Sequence, residues 1–146
     1  MLRALLLCLA LAAPAIAQPG PALAQAGVTP EDLAEIRAVI HRQIEAFRRD
    51  DAREAFALVS PGVQETFGTP ERFLDTVRVS YRAVYRPATV AFLGLTVVGH
   101  DVVQQVQLTD RSGAVWLAYY GMQRQPDGSW RTNGCHLVQP ARTIPT

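Results

Sequence analysis

Residues 81 to 98 read YRAVYRPATVAFLGLTVV, and within this stretch the spacing of apolar residues changes from a helical period to a strand period. Pro87 marks the change, because a proline pushes the residue before it, Arg86, out of the helical region of backbone space. Upstream of Pro87 the spacing predicts a helix, and from Val90 to Val98 it predicts a strand that is apolar on both faces. We therefore expect helices first and a sheet second.

The most strongly marked helix upstream of this change begins after Thr29. The threonine supplies a hydroxyl N-cap, Pro30 suits the first helical position, and acidic residues in the first turn face the positive end of the helix dipole. Apolar residues then recur every three or four positions: Leu33, Ile36, Ile40, Ile44 and Phe47. The pattern predicts an amphipathic helix of about four turns.

Three further helix starts follow. Asp51 is an N-cap acid with a glutamate three residues later, and it predicts a second helix that runs to about Val59. The Ser-Pro pair at 60–61 predicts a short helical turn, and the Thr-Pro pair at 69–70 predicts a third helix that ends near Val84.

Three more strands are predicted after the first. Apolar and polar residues alternate in the second strand, and the third strand places on one face Trp116, Ala118, Tyr120 and Met122. The Asp-Gly pair at 127–128 is a hairpin signal before a last strand from Trp130 to Val138. This order predicts an α+β fold in which N-terminal helices pack on a curled, antiparallel, four-stranded meander sheet.

The first residues of the chain predict export. Arg3, an apolar run over residues 4–13 and an Ala-x-Ala site that ends at residue 17 are typical of a secretory signal peptide, with residue 24 as the alternative end. We therefore expect a periplasmic or secreted protein that has no membrane anchor after cleavage.

After the signal peptide over residues 1–17, the predicted organisation is a flexible lead-in over 18–28, a single α+β domain over 29–139 and a tail over 140–146. Cleavage removes one of the 14 basic residues and leaves 13 arginines against 13 acidic residues. A net charge near zero excludes a dedicated nucleic-acid or anionic-membrane binder.

Several of these segments resemble known families. IRAVI at 36–40 and FALVSP at 56–61 resemble the opening of the nuclear transport factor 2-like and cystatin-like superfamily. FGTPERF at 67–73, VYRP at 84–87 and QPDGSWR at 125–131 resemble more closely an exported proteobacterial family, domain of unknown function 4864. The resemblance covers about residues 31–138. It implies a cone-shaped roll with a pocket at its open end, and it implies no activity.

Aromatic residues with polar tips are the candidate pocket residues, because such side chains suit the wall of a ligand site. The candidates are Tyr81, Tyr85, Trp116, Tyr120, Trp130 and His136. His136 shares a face with Trp130 and Thr132 if the last strand is regular, and Cys135 then points to the other face. Ordinary core packing is the alternative for each aromatic residue, and inert burial or a reactive thiol are the alternatives for Cys135.

Arg78, Arg82 and Arg86 recur every four residues on the predicted third helix. Such a basic stripe can contact a carboxylate or phosphate. The alternative is a solvated face that is paired with nearby acids such as Glu71 and Asp75.

Residues for acid–base or metal chemistry are sparse. The superfamily's isomerases, dehydratases and epoxide hydrolases place Asp, His or Tyr inside the cone, whereas the acids after Ala88 here fall at predicted turns. An interior acid would have to come from a helix, and Glu45, next to a core position, is the nearest candidate; a solvated charge is its alternative interpretation. The three histidines show no metal-ligand spacing, so we expect no metal and no cofactor.

Three functions follow as hypotheses. The leading one is a non-enzymatic periplasmic domain that binds a small apolar molecule. The second is a structural protein that forms a homodimer or engages an envelope partner through an outer sheet face that carries Gln105, Gln107, Tyr119 and Gln123. The third is a lyase or isomerase that uses His136 with Tyr81, Tyr85 or Tyr120.

Overall fold

A helical layer precedes a sheet in the computed structural model, which describes residues 23, 24 and 26–141. The helices are α1 (Pro30–Arg48), α2 (Ala52–Ala57), α3 (Pro61–Phe67), α4 (Pro70–Ser80) and α5 (Arg82–Tyr85). The strands are β1 (Thr89–Val98), β2 (Asp101–Thr109), β3 (Val115–Arg124) and β4 (Trp130–Val138). The predicted α+β order of helices and meander is confirmed, and the sheet is open.

The predicted signal peptide and most of the predicted tail lie outside the described residues. Within the described part of the chain, no helix combines the length and apolarity needed to cross a membrane. Val28, at the end of the predicted lead-in, is only 3% exposed and belongs to the core cluster, so packing begins before the N-cap of α1.

The predicted N-caps are present. The hydroxyl of Thr29 accepts from the amide of Asp32, whose carboxylate accepts in turn from the amide of Thr29, so the two residues form a capping box. Ser60 and Thr69 cap α3 and α4 with their hydroxyls, and the carboxylate of Asp51 caps α2.

The predicted third helix is interrupted at Tyr81. Its backbone (φ −127°, ψ 50°) leaves the helical region, so α4 ends at Ser80 and α5 forms a separate turn. The residues at this point, Val79, Ser80 and Tyr81, are weak helix formers. The interruption leaves Ala83 and Val84 both buried, and it ends the four-residue spacing on which the predicted arginine stripe depended.

The four strands pair antiparallel in sequence order, and the inner face of the sheet packs on the helices. The predicted alternation in β2 and β3 is confirmed by the buried inner-face residues: Val102, Gln104, Val106, Leu108, Ala118, Tyr120 and Met122. Gln104 has no exposed surface, and its side-chain amide donates to the carbonyls of Leu93 (3.0 Å) and Gly94 (3.3 Å) where β1 bulges.

Strand β4 contains one extra residue relative to β3. Tyr120 pairs with Cys135 and Met122 pairs with Thr132, so the register shifts between the two pairs. Gly134 lies in this bulge with a φ of +130°, a conformation that favours glycine. The shift turns Cys135 to the inner face.

The loop between α2 and α3 is attached to this bulged part of β4. Val59 forms a parallel bridge with Thr132. The amide of Ser60 donates to the Thr132 carbonyl (2.8 Å), and the Thr132 amide donates to the Leu58 carbonyl (2.9 Å). The side chain of Ser60 also donates to Asn133. The helical layer and the last strand are therefore connected through the backbone.

Helix α1 and the start of β4 meet at Asp32. Its carboxylate accepts from the indole nitrogen of Trp130 (2.8 Å), from Arg124 (2.8 Å) and from the amide of Thr29 (2.9 Å). Burial alone raises the pKa of this carboxyl, but these hydrogen bonds outweigh it and lower the pKa of Asp32 to about 2.

Candidate functional site

A cavity of about 140 Å³ lies between the helices and the inner faces of β3 and β4. Its wall is formed by residues of α1, α3, α4 and α5, by two residues that lie between helices, and by residues of both strands. The wall is mostly apolar, and its phenylalanine and valine members are Phe47, Val59, Val63, Phe67, Phe73, Val77 and Val84. An interior pocket with such a lining suits a small apolar molecule.

Phe73 is the centre of the aromatic part of this wall. Its ring centroid lies 5.2 Å from that of Phe67, in an edge-to-face arrangement, and 5.9 Å from those of Phe47 and Phe56. These separations are in the favourable range for aromatic pairs. The sequence predicts Phe47 only as part of an apolar helix face, because such spacing is typical of a packed interface and of a cavity wall alike.

Most polar groups of the lining are engaged within the protein. The side-chain amide of Gln43 donates to the Ala55 carbonyl and to the hydroxyl of Thr132, both at 3.1 Å. The hydroxyl of Thr76 donates to the carbonyl of Arg72 (2.9 Å). Among the described residues, no charged side chain lines the cavity. The interior therefore offers no counter-ion to a charged ligand.

Tyr120 differs from these groups. Its side chain is 1% exposed, and its hydroxyl has no hydrogen-bond partner in the described part of the chain. Burial raises the pKa of Tyr120 well above its usual value, and the neighbouring Cys135 adds to the effect. The phenol is therefore neutral and remains able to donate.

Cys135 lies beside Tyr120 in the wall, because the bulge turns its side chain inward. Burial raises the pKa of the Cys135 thiol to about 12. The sequence is compatible with an inert or a reactive thiol, and the surroundings of Cys135 favour the inert form.

Cys135 is expected to react with iodoacetamide at pH 8 at least ~100-fold more slowly in the folded protein than in urea, because the thiolate is the reactive species. The measurement follows the mass of a Cys8→Ser variant, in which Cys135 is the remaining thiol. Equal rates in the two solvents would contradict a half-buried, protonated thiol.

Two of the six predicted pocket residues, Tyr81 and Tyr120, line this cavity. Tyr81 also borders a second, open cleft of about 460 Å³ that contains Trp116 and His136, so it lies between the two depressions. The indole nitrogen of Trp116 donates to Asp110 (2.9 Å). The buried Trp130 is bonded to Asp32, outside the cavity lining.

His136 is exposed on the outer side of β4, where it pairs with Tyr119. The expectation that it shares a face with Thr132 is wrong, because it assumed a regular strand and the bulge reverses the alternation. Tyr120 lies on the opposite face of the sheet. The geometry therefore does not bring His136 and Tyr120 together, whereas His136 and Tyr81 both border the open cleft.

The fourth aromatic candidate outside the cavity, Tyr85, belongs to a surface cluster around Asp50. The Asp50 carboxylate accepts from the Tyr85 hydroxyl, from Arg86 (2.9 Å) and from Arg78 (3.5 Å), and these contacts, led by that of Tyr85, lower the pKa of Asp50. Arg78 also pairs with Asp75 (3.0 Å). Arg78 and Arg86 are thus ion-paired within the protein, and Arg82 takes no part in these contacts.

The remaining candidates lie on the surface. Glu45 is half-exposed and pairs with Arg48 at 2.9 Å, so it does not reach the interior. On the outer sheet face, Gln105, Gln107 and Tyr119 are half-buried, and Gln123 is exposed.

Within the described ranges, no group of three His, Cys, Asp or Glu side chains is placed to hold a metal ion.

A family model described as a domain of unknown function, DUF4864, matches residues 29–144. No curated protein and no solved structure matches the chain.

Proposed function

Since the chain belongs to the DUF4864 family, a domain of unknown function, we propose a function from the cavity itself. The protein binds a small, neutral, apolar molecule between its helices and its sheet, and it acts without catalysis. The observation that carries this proposal is the cavity of about 140 Å³ with its aromatic and aliphatic wall.

The size and lining of the cavity define the class of ligand. An engineered apolar cavity of about 150 Å³ in another protein binds benzene, so a cavity of this volume suits a molecule of about one six-membered ring. Transfer of such a molecule from water into an apolar interior is favourable. A charged group would lose its hydration without gaining a counter-ion, since none of the described lining residues is charged.

The amino-terminal sequence supports a location outside the cytoplasm. The basic start, the apolar run and the Ala-x-Ala sites favour export, so we place the binding function in the periplasm or the secreted fraction. A binding domain there can carry or sequester small apolar compounds.

Filling the cavity is expected to abolish binding. In Val77→Phe the larger side chain enters the cavity from α4, whereas Val79→Phe makes the same change at a site on that helix that is 70% exposed. With toluene as the probe, we expect a Kd of about 1 mM for the wild type and Val79→Phe, and at least ~10-fold weaker binding for Val77→Phe. Isothermal titration calorimetry measures all three.

The stability of the three proteins provides the control. Val77→Phe should unfold at a temperature close to that of the wild type, because the added ring occupies existing space. Absence of toluene binding to the wild type, or equal binding to Val77→Phe, would contradict the proposed function.

Homodimerisation through the outer sheet face is the second candidate. Val98 (64% exposed) and Val115 (39% exposed) both lie on that face, opposite Asp101 and Thr109 in the register. The two valines lie at opposite ends of this face, and the uncharged Gln105 and Gln107 lie between them, which is compatible with a contact between two sheets. Native mass spectrometry of the exported protein distinguishes the candidates, because a ligand of about one ring adds roughly 100 daltons and a second copy doubles the mass.

A further inference from the structure

Arg82 and Arg111 line one open depression of about 540 Å³, between α5 and the turn that joins β2 to β3. Both side chains are exposed, and neither forms an ion pair with the described residues. The same depression contains Arg78 and Arg86, but those two guanidinium groups pair with Asp50. The protein therefore presents two positive charges in one depression and leaves both without a partner in the described part of the chain.

The acid that lines this depression, Asp110, is engaged by its own turn. Its carboxylate accepts from the amide and the hydroxyl of Ser112 (2.9 and 2.6 Å), from the amide of Ala114 (3.0 Å) and from the indole nitrogen of Trp116 (2.9 Å). These hydrogen bonds, led by that of the Ser112 side chain, lower the pKa of Asp110 to about 2. The ionised carboxylate offsets one of the two free arginine charges, so one positive charge remains in excess.

The backbone on both sides of the depression is held in place. Arg111 lies in a turn whose ends are joined, because the amide of Asp110 donates to the carbonyl of Ala114 (2.9 Å). Arg82 begins α5, and the two residues that follow it are buried in the core. A fixed backbone lowers the cost of ordering the two side chains around a bound anion.

The open cleft of about 460 Å³ adjoins this depression, since Arg82 and Asp110 line both of them. The apolar and aromatic members of the cleft are Val79, Tyr81, Ala83, Trp116 and Leu137. An apolar ring in the cleft would lose contact with water, while an acidic group on that ring could reach the neighbouring arginines. The two depressions together are thus apolar at one end and basic at the other.

We propose that these adjoining depressions bind an organic anion, whose carboxylate or phosphate group contacts Arg82 and Arg111 and whose apolar body lies beside Trp116. Guanidinium groups bind both kinds of anion in the same bidentate manner. The inference goes beyond the proposed function and does not depend on it, because no arginine lines the cavity of about 140 Å³. Of the predicted arginine stripe, only Arg82 contributes a free charge to this site.

Benzoate and benzamide form a matched pair of probes, because the same ring carries a charged group in one and a neutral group in the other. NMR titration of ¹⁵N-labelled protein at pH 7 follows the indole N–H signals of Trp116 and Trp130. We expect benzoate to shift the Trp116 signal with a Kd of about 1 mM, and benzamide to bind at least ~10-fold more weakly. The Trp130 signal is the internal reference, since its indole is buried against Asp32. Phenyl phosphate, titrated in the same way, distinguishes a phosphate from a carboxylate ligand.

Arg82→Gln and Arg111→Gln should each weaken benzoate binding by about fivefold, because each removes one charge-assisted contact and keeps a polar side chain. Arg53→Gln is the matched control: Arg53 is exposed on α2, and it lines neither depression. This variant removes the same charge and should leave the Kd unchanged. All three arginines are exposed, so we expect the variants to unfold at nearly the same temperature as the wild type.

Equal affinity for benzoate and benzamide, or an equal loss of benzoate binding in all three variants, would overturn the inference. Binding would then depend on the ring alone or on the net charge alone. The inference is also wrong if neither benzoate nor phenyl phosphate shifts the Trp116 signal. Toluene binding to the cavity is a separate measurement, so its outcome leaves the anion site untouched.

Discussion

Phe73→Ala is expected to lower the free energy of unfolding by about 4 kcal/mol, the largest effect that we predict for this protein. The Phe73 side chain is 7% exposed and packs against three other phenylalanine rings. Its truncation removes apolar burial and aromatic contacts together, and it enlarges a region that already contains a cavity. Urea denaturation at pH 7 measures the change.

Arg72→Ala is the control for this substitution, because Arg72 is exposed on the same helix. We expect its effect to remain within about 0.5 kcal/mol. A loss below about 1 kcal/mol for Phe73→Ala would show that the four rings do not pack as described.

Asp32→Ala is expected to lower the free energy of unfolding by about 3 kcal/mol. The substitution removes the acceptor of the capping box, the partner of Arg124 and the partner of the Trp130 indole. Trp130 is 4% exposed, so its N–H group would remain buried without a partner. Glu31→Ala removes an exposed acid from the same turn of α1, and it should change the stability by about 0.5 kcal/mol or less.

The pH dependence of the stability difference between the wild type and Asp32→Ala tests the role of the ionised carboxylate. The pKa of Asp32 is about 2 in the folded protein and lies near 3.8 when the group is unperturbed. Above pH 4 the free energy of unfolding of the wild type therefore exceeds that of Asp32→Ala by the full amount. The part of this excess that depends on the charge of Asp32 is lost as the pH falls through 4 towards 2. Other acids with a shifted pKa contribute equally to the pH dependence of stability in both proteins, so they cancel in the difference. A stability difference independent of pH between 5 and 2.5 would contradict this account.

Short-range signals account for the parts of the fold that the sequence predicted well. Thr29, Asp51, Ser60 and Thr69 each cap a helix within three residues of themselves, so their effect is visible in a few letters of sequence. The alternation in β2 and β3 is equally local. The change of period at Pro87 correctly separates the helices from the sheet.

Tertiary contacts decide the features that the sequence could not predict. At Tyr81 the helix gives way to a second turn, although apolar residues continue at helical spacing. At Gly134 one additional residue in β4 is accommodated, and this exchanges the faces of Cys135 and His136. Neither position carries a distinctive motif, since a glycine in a strand predicts a bulge only as one of several interpretations.

In the candidate site as well, local sequence patterns predict some residues correctly and tertiary contacts decide the positions of others. Tyr120 was placed inward by an alternation that the structure retains, and it lines the cavity. Trp130 was also placed inward, but its indole is engaged by Asp32, which lies 98 residues earlier in the chain. A partner at that distance in sequence leaves no local signal. The aromatic wall around Phe73 likewise depends on how α1, α2 and α3 approach α4.

The attachment of the α2–α3 loop to β4 has a consequence for how the chain folds. The hydrogen bond between Ser60 and Asn133 spans 73 residues, so its formation closes most of the domain into one loop. The entropic cost of that closure is met only when the helices and the last strand are both in place. We therefore expect the helical layer and β4 to fold as one cooperative unit, at a rate that is limited by this non-local pairing rather than by the rapid local helices.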